Sequence, residues 1–359
     1  MQDSGVFIFV ARINRYLRWD SKNGPYLLAL KMRIAFCYNV KKGKPSGDPG
    51  KQGDIEFDSP SVINGIKKTL LELGHSVVMI EADKEAYPKL KKLKPKIDLV
   101  FNIAEGLVGD ARESQIPLFC EILQIPYTHS SPTTHAIKLD KEFTKYLLEG
   151  AGIVKVPGCS KFPLIVKPNK EGSSKGIMDA NVVRDKDELQ KRVELLSEKI
   201  SGEMLVEEYI DGREFTVSIL GNGEPVVLPI VEQKFDFLPK GMNKMASYEL
   251  KWFYEDKLEN LKDAYDCPAK IEKRLKEKIE KTSIAIYKFL DVRDCARIDY
   301  RLDGKGELYF LEINTLPGIN PNPNVISYFP LSARVAGMSY KDLIEKIISL
   351  ASRRYGLKV

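Results

Sequence analysis

Apolar runs alternate with amphipathic stretches through the first third of the chain. The runs have the length of buried strands, and the stretches between them repeat apolar residues at the spacing of a helix. The predicted strands are 32–40, 75–82, 97–106 and 125–131, and the predicted helices are 59–74 and 112–124. Because strands that alternate with helices form parallel sheets, the pattern predicts an α/β domain over residues 32–130.

After residue 131 the pattern changes to longer helices and to pairs of strands separated by short turns. The predicted helices are 139–152, 186–200, 268–290 and 339–353, the predicted single strands are 162–168 and 224–233, and the predicted hairpins are 203–221 and 296–314. A D-G turn between two apolar runs favours each hairpin. We divide this part of the chain into a central domain, 131–212, and a C-terminal domain, 213–359. Residues 1–31 precede the first strand, and we predict that they form an extension outside the fold.

Positive and negative charges are interleaved along the chain. The 56 basic and 50 acidic residues leave a formal net charge of +6, and stretches such as 270–281 mix both signs. A nucleic-acid-binding surface would be basic without interleaved acids, so we predict no nucleic-acid partner. An anionic small molecule fits this balance better.

The five cysteines are scattered, with no C-x-x-C pair and no accompanying cluster of histidines. This spacing argues against a disulfide framework or a zinc site and favours a cytoplasmic location. No apolar run reaches the length of a membrane span, so we predict no membrane partner.

The stretch IVKPNKEGSSKG (165–176) joins a buried strand directly to a loop rich in glycine, serine and lysine. Backbone N–H groups of such a loop can bind phosphate oxygens, and Lys167 and Lys175 would add positive charge. The P-loop pattern G-x-x-x-x-G-K-[ST] is not present. A flexible surface loop with incidental lysines is the alternative interpretation. Lys167 favours the phosphate site, because Pro168 restricts the backbone where the strand ends.

Two apolar runs flank a D-G-K-G turn in the second predicted hairpin. If the turn takes four residues, 303–306, Asp299 lies opposite Phe310 and Arg297 lies opposite Glu312. Side chains alternate along a strand, so one face of the hairpin then carries a mixed group of residues. This group consists of Arg297, Asp299, Phe310, Glu312 and Asn314.

Three members of that group, Asp299, Glu312 and Asn314, carry the oxygen ligands that Mg²⁺ or Mn²⁺ prefers. A solvent-facing hairpin with ordinary acids is the alternative. Glu312 counts against this alternative, because it lies within the apolar run LYFLEIN, where an unpaired buried carboxylate costs several kcal/mol. A metal site beside a cationic loop is what an ATP site without a P-loop requires.

Eight stretches, in this order and spacing, resemble the D-alanine–D-alanine ligase family of the ATP-grasp superfamily. They are IPYT (125–128), LDKEFTK (139–145), PLIVKPNKEGSSKG (163–176), LVEEYIDGREFTVSILG (205–221), YELKW (248–252), CPA (267–269), ARIDYRLDGKGELYFLEINTLPG (296–318) and LSARVAGMSYKDLI (331–344). The resemblance implies an ATP-grasp fold of three domains, α/β overall and α+β in its ATP-binding part, with an N-terminal parallel-sheet domain.

The resemblance also implies a reaction and its partners. ATP phosphorylates a carboxylate to an acyl phosphate, and an amine then attacks it, so that phosphate leaves and an amide or dipeptide forms. The implied cofactors are ATP and Mg²⁺ or Mn²⁺, and the implied partners are small amino-acid or peptide substrates. The oligomeric state is open, with a homodimer as one alternative. We expect the long segment 234–262 to close over ATP as a lid that excludes water.

The resemblance assigns roles by matching position. The ATP-binding residues are Lys141, Lys167, Gly172, Ser174, Glu207, Glu208, Ile210, Glu214, Lys251 and Leu311, the metal ligands are Asp299, Glu312 and Asn314, and the catalytic residues are Arg297, Ser173, Gly318 and Glu56. Arg297 and the backbone at Gly318 would stabilise the tetrahedral intermediate, and Glu56 is the counterpart of a glutamate that anchors the first amine. Without the resemblance, the i,i+4 spacing of Lys141 and Lys145 is typical of a surface helix.

The departures from the family concentrate on the amino-acid-binding side. Glu105 replaces a histidine before a glycine, and Trp252 replaces a tyrosine; among the ATP-binding positions, Glu208 stands where many members have a lysine. A His-Ser pair is missing near 321–324, and 41–59 replaces a Gly-rich loop. We therefore hypothesise a ligase whose substrates differ from two D-alanines. D-alanine–D-alanine ligation and a nucleotide-binding regulator or scaffold without ligase activity are the alternatives.

Overall fold

The structure is a computed structural model that describes residues 17–20, 24–27 and 31–357, with the backbone alone for the two short segments and for Asp256. The strands are β1 (Leu17–Asp20), β2 (Gly24–Leu27), β3 (Arg33–Tyr38), β4 (Ser76–Glu81), β5 (Leu99–Asn102), β6 (Leu164–Pro168), β7 (Val182–Val183), β8 (Met204–Glu208), β9 (Gly212–Leu220), β10 (Val226–Val227), β11 (Val231–Gln233), β12 (Tyr265–Asp266), β13 (Cys295–Asp303) and β14 (Leu308–Asn314). The helices are α1 (Pro60–Glu72), α2 (Ala86–Leu93), α3 (Gln115–Leu123), α4 (Pro132–Leu139), α5 (Lys141–Gly150), α6 (Lys186–Lys199), α7 (Lys273–Phe289), α8 (Tyr328–Val335) and α9 (Tyr340–Arg354). Most of the predicted extension at 1–31 lies outside the described residues; β1 and β2 pair with each other as a separate sheet.

A parallel sheet with strand order β4-β3-β5 forms the first layer of the fold. Ile34 and Phe36 on one face of β3 pack against α1 and against α8 and α9 from the end of the chain. Ala35 and Cys37 on the other face pack against α2 and α3. The sheet is therefore covered on both sides, as parallel sheets require, and the predicted α/β class is confirmed.

The predicted fourth strand at 125–131 is wrong. In this segment the structure has an isolated parallel bridge, between Val100 and Tyr127, in place of a strand. The pairing stops because His129 has a left-handed backbone, with φ of 72°, and donates its N–H to the side chain of Asp294 instead of to a strand.

Two antiparallel sheets follow. The smaller has the order β7-β6-β8 and packs Leu164 and Val166 against Leu196 of α6. The larger has the order β12-β11-β9-β13-β14, with β10 also paired to β9, and its core faces α7. The division of the chain near residues 131 and 212 stays a prediction.

The predicted hairpin at 203–221 is also wrong. Its first strand, β8, pairs with β6 in the smaller sheet, and its second strand, β9, pairs with β13 and β11 in the larger one. Nearly every side chain of β9 is buried, so this strand needs neighbours on both edges. The crossing occurs at Gly212, where a Cβ atom would lie 2.0 Å from the carbonyl oxygen of Leu302.

Two further differences have local causes. The predicted strand at 224–233 is divided into β10 and β11, and Pro229, which has no N–H to donate, lies between them. Helix α4 was not predicted; it begins at Ser131, whose side chain accepts the N–H of Thr134. Within the described part of the chain, no helix combines the length and the apolar character needed to cross a membrane.

Asp294 joins three distant parts of the chain. Its carboxylate is fully buried and accepts hydrogen bonds from the N–H of His129 at 2.7 Å, Asn222 Nδ2 at 2.8 Å and Arg354 Nη2 at 2.9 Å. His129 precedes α4, Asn222 follows β9, and Arg354 is the last residue of α9. One buried carboxylate therefore ties the C-terminal helix to the sheets.

We expect Asp294→Ala to lower the free energy of unfolding by about 3–5 kcal/mol, since it removes the buried partner of the Arg354 guanidinium and the acceptor of two further donors. Urea denaturation measures this value. Asp291→Ala is the matched control, because Asp291 also has a left-handed backbone but its side chain is 73% exposed. Equal losses in both variants would contradict a role for the buried contacts.

Candidate active site

One cleft of about 630 Å³ lies between the two antiparallel sheets, and segments of the first layer close one end of it. All the predicted site residues line this cleft. They are Glu56, Lys141, Lys167, Gly172, Ser173, Ser174, Glu207, Glu208, Ile210, Glu214, Lys251, Arg297, Asp299, Leu311, Glu312, Asn314 and Gly318. The structure thus brings together residues from widely separated parts of the chain, although their individual roles stay predictions.

The predicted pairing within the second hairpin is wrong by one or two residues. Asp299 lies directly opposite Glu312, and Arg297 lies opposite Asn314. Asp303 closes the turn: its N–H donates to the carbonyl oxygen of Glu307 at 3.0 Å, and its side chain accepts the N–H groups of Lys305 and Glu307. Three residues, 304–306, therefore separate the paired positions, one fewer than the sequence suggested.

A β-bulge then shifts the register between Asp299 and Tyr300, and Leu311 has no partner across the strands. Phe310, predicted to share the face of Asp299, instead pairs with Tyr300 and is buried in the core. The four polar residues of the predicted group still share one face, and that face lines the cleft.

The two opposed carboxylates are surrounded by cations. Arg297 Nη2 lies 3.0 Å from Asp299, and Lys141 Nζ lies 3.6 Å from Glu312. Burial would raise the pKa of Glu312, but Lys141 and Arg297, with smaller contributions from Lys251, lower it below its ordinary value. Glu312 is therefore ionised at neutral pH and can serve as a ligand of a hard cation.

A second balanced group lies where β6 and β8 face α5. Glu207 is buried and forms ion pairs with both Lys145 and Lys167. Burial alone would raise the pKa of Glu207, but the two lysines lower it to about 2. The surface interpretation of Lys141 and Lys145 is wrong, because both side chains are less than a tenth exposed.

The Gly/Ser-rich segment, which we call the phosphate loop (residues 169–176), is held in place from several sides. Lys141 Nζ donates to the carbonyl oxygen of Glu171, and Ser174 Oγ donates to the carbonyl oxygen of Ala246. Lys175, expected to add charge to the site, instead pairs with Glu171 at 3.1 Å. The loop therefore lies against both α5 and the predicted lid.

The predicted lid, residues 234–262, lies along the cleft. Its centre is a short π-helical turn, Leu250–Tyr254, which carries Lys251 and Trp252 on the cleft wall. The N–H of Tyr248 donates to the carbonyl oxygen of Ile177 at 2.7 Å, so the lid is attached just after the phosphate loop.

Two further carboxyls line the opposite end of the cleft. Burial raises the pKa of Asp58 to about 7, and the charge of Lys41 offsets only part of this effect. Burial and the charge of Glu113 raise the pKa of Glu105 well above the ordinary value, although the charges of Lys138 and Arg112 act in the opposite direction. The sequence analysis identified Glu105 but not Asp58, which lines the cleft together with Glu56.

Charged residues that the sequence analysis did not select also lie on the wall. Arg301 Nε is 3.4 Å from Glu214, and Lys138 forms a buried ion pair with Glu113. A lysine or arginine within an apolar strand or helix is a signal of such pairing, since an unpaired buried charge is costly. Arg301 lies within β13 and carries that signal.

The chain matches known proteins over most of its length. The family model described as "D-ala D-ala ligase C-terminus" matches residues 143–349. The uncharacterized protein y4sG of Sinorhizobium fredii (strain NBRC 101917 / NGR234) is 35% identical over 345 residues, which cover 90% of this chain and 98% of that protein. The D-alanine–D-alanine ligase of Aquifex aeolicus (strain VF5) is 35% identical over 300 residues, which cover 79% of this chain and 92% of that enzyme.

A solved structure has the same fold. The D-alanine–D-alanine ligase from Bacillus anthracis complexed with ATP aligns with a TM-score of 0.66 and 26% identity, covering 90% of this chain and 99% of that chain. Together with the sequence relatives, it shows that the chain belongs to the D-alanine–D-alanine ligase family of ATP-grasp proteins and is an ATP-dependent carbon–nitrogen ligase.

Proposed function

We propose that this ligase requires Mg²⁺ or Mn²⁺, proceeds through an acyl phosphate, and joins amino-acid or peptide substrates other than two D-alanines. One observation carries the proposal. The oxygen ligands Asp299, Glu312 and Asn314 share a cleft with Lys141 and Lys167. A triphosphate has the charge to match this cationic and metal-binding set.

The donor set fits a hard divalent cation. Asp299 and Glu312 are directly opposed, and Asn314 keeps a free lone pair on Oδ1 after accepting the N–H of Leu316. Among the residues that the structure describes, no three His, Cys, Asp or Glu side chains group to hold a metal, so the amide oxygen of Asn314 would be the third protein ligand. When bound, the cation would neutralise charge on the phosphates.

The chain's own residues would bind and orient the reactants. Lys167 is fixed at the end of β6 by Glu207 and would donate to the phosphates, as would the N–H groups of the phosphate loop. Arg297, held by Asp299, would stabilise the negative charge that develops on the tetrahedral intermediate. The lid would exclude water from the acyl phosphate.

The other end of the cleft supports a change of substrate. Asp58 and Glu105 line it, and the charges of Lys41 on Asp58 and of Lys138 and Arg112 on Glu105 do not offset the effect of burial, which raises the pKa of both carboxyls. Carboxyls in such surroundings favour a ligand that brings an amino group and disfavour a second carboxylate. A substrate with an additional amino group would satisfy both side chains.

Product analysis tests the proposal directly. The protein is incubated with ATP, Mg²⁺ and a panel of amino acids and dipeptides that includes D-alanine, diamino acids and basic dipeptides, and products are identified by mass spectrometry. We expect an amide containing a diamino substrate. Efficient D-alanyl-D-alanine formation would contradict the changed substrate, and ATP turnover that never yields an amide would favour a regulator or scaffold.

We expect Asp299→Asn and Glu312→Gln each to lower Mg²⁺-dependent turnover roughly 100-fold or more while the fold is kept, because each removes one anionic ligand. Steady-state ADP release measured against Mg²⁺ concentration checks this. Asp303→Asn is the matched control, since Asp303 belongs to the same hairpin but lies in its turn, outside the cleft. Normal turnover by either variant would mean that the metal is held elsewhere.

We expect Lys167→Ala to raise the KM for ATP roughly 10- to 100-fold, because it removes a hydrogen bond to a charged phosphate, a contribution of about 1.5–3 kcal/mol. Initial rates across a range of ATP concentrations give this value. Lys155→Ala is the control, because Lys155 is half exposed and pairs with Glu307 outside the cleft. An unchanged KM in Lys167→Ala would remove the lysine from the phosphate site.

A further inference from the structure

Arg112 connects the first layer of the fold to the phosphate loop. It begins a short 3₁₀ turn, Arg112–Ser114, between β5 and α3, and its side chain is only 10% exposed. Nη1 donates to the carbonyl oxygen of Lys170 at 2.7 Å, and Nη2 lies 2.8 Å from Glu56 and 3.2 Å from Glu171. One guanidinium therefore binds the loop at two consecutive residues.

Glu56 extends this connection. Its Oε2 accepts from Arg112, while its Oε1 accepts the N–H of Gly172 in the loop. Both carboxylate oxygens are thus occupied by the loop and by the arginine that holds it. In this arrangement Glu56 positions the loop.

The loop needs such contacts because its backbone is strained. Ser173 and Ser174 have backbone φ angles of 50° and 58°, which residues other than glycine adopt at a cost of order 1–3 kcal/mol each. A strained segment keeps its conformation only when surrounding contacts hold it. Arg112 and Glu56 hold the loop immediately before these two serines.

The charges around Arg112 are balanced. Glu56 and Glu171 face Arg112, and Glu171 also faces Lys175 at 3.1 Å. Burial would lower the pKa of Arg112, but the two carboxylates raise it above its ordinary value. The planar guanidinium donates to three acceptors at once, a geometry that the single ammonium of lysine does not reproduce.

We propose that Arg112 is a positioning residue that holds the phosphate loop closed over the cleft and thereby couples ATP consumption to amide formation. The inference rests on the proposed acyl phosphate chemistry. Arg112 itself does not line the cleft, so it acts on the reaction through Glu56 and the loop backbone.

Coupling follows from the exclusion of water. With the loop closed, the amine attacks the acyl carbon, the bond from that carbon to the phosphate oxygen breaks, and the amide and inorganic phosphate form. With the loop open, water attacks the same carbon, and the carboxylic acid and inorganic phosphate are released instead. Each such event consumes one ATP without product.

The test compares Arg112→Gln and Arg112→Lys with the wild-type chain. ADP and amide are quantified in the same reaction, and hydrogen exchange is measured for the backbone of residues 170–176 with and without a non-hydrolysable ATP analogue. We expect Arg112→Gln to raise the ratio of ADP to amide at least fivefold and to accelerate loop exchange at least tenfold. For Arg112→Lys we expect an ADP-to-amide ratio and a loop exchange rate between those of the wild-type chain and Arg112→Gln, because lysine keeps the positive charge but does not make all three contacts.

Two further variants separate the effect of the contacts between Arg112 and the phosphate loop from an effect on the stability of the whole fold. Arg33→Gln is the control: Arg33 forms a two-contact ion pair with Asp98 at the exposed start of β3, and its loss should leave the ADP-to-amide ratio and loop exchange unchanged. Glu171→Gln removes the negative charge of one loop acceptor and keeps Arg112, so it should give an intermediate ratio even if Arg112→Gln fails to fold.

The proposal is overturned if Arg112→Gln and Glu171→Gln keep the wild-type ratio and the wild-type exchange rate of the loop. A lower overall rate with an unchanged ratio in both would also overturn it, because this indicates a structural role alone. If the wild-type chain forms no amide from any substrate, the proposed function fails instead, and the exchange measurement still decides whether Arg112 holds the loop.

Discussion

Like charges directly opposed on neighbouring strands repel, and the cleft is arranged around one such pair. Asp299 and Glu312 face each other across β13 and β14. Strand β13 is paired on both edges, so the first carboxylate cannot move away without breaking the sheet. Arg297 and Lys141 supply the compensating charge in the absence of a ligand. The same cations that stabilise the fold are therefore placed where phosphates and a divalent ion would bind.

A second buried carboxylate in the cleft, that of Glu207, is also compensated by cations. Glu207 is buried between Lys145 and Lys167, and this group fixes the direction of the lysine at the end of β6. Elsewhere on the wall of the cleft, burial raises the pKa of Asp58 and of Glu105 despite the nearby charges of Lys41 and Lys138. One continuous cavity thus combines cations suited to a nucleotide with two carboxyls suited to an amino group.

Much of the fold follows from local patterns. The 3.6-residue period correctly located α1, α6 and α9, and the buried runs correctly located β3 and β6. The failures share a cause. Two adjacent apolar runs joined by a D-G turn predict a hairpin, yet β8 and β9 belong to different sheets, because β8 pairs along its whole length with β6 and β9 pairs along its whole length with β13. Pairing is a property of the whole chain, and a short window of sequence does not contain it.

In the candidate active site too, some features follow from the local sequence and others from the tertiary structure. Alternation along a strand is local, so the sequence alone placed Arg297 and Asp299 on one face, and an acid within an apolar run marked Glu312 as a residue that needs a partner. The turn at Asp303 and the bulge at Leu311 decide which residues of β13 and β14 lie opposite each other. Both features depend on hydrogen bonds that form only in the folded chain, so the sequence did not reveal this pairing. The contacts of Arg112 are more distant in sequence, since Glu56 precedes it by 56 positions and Glu171 follows it by 59 positions. Tertiary structure alone could bring those charges together, because no periodic pattern relates positions so distant along the chain.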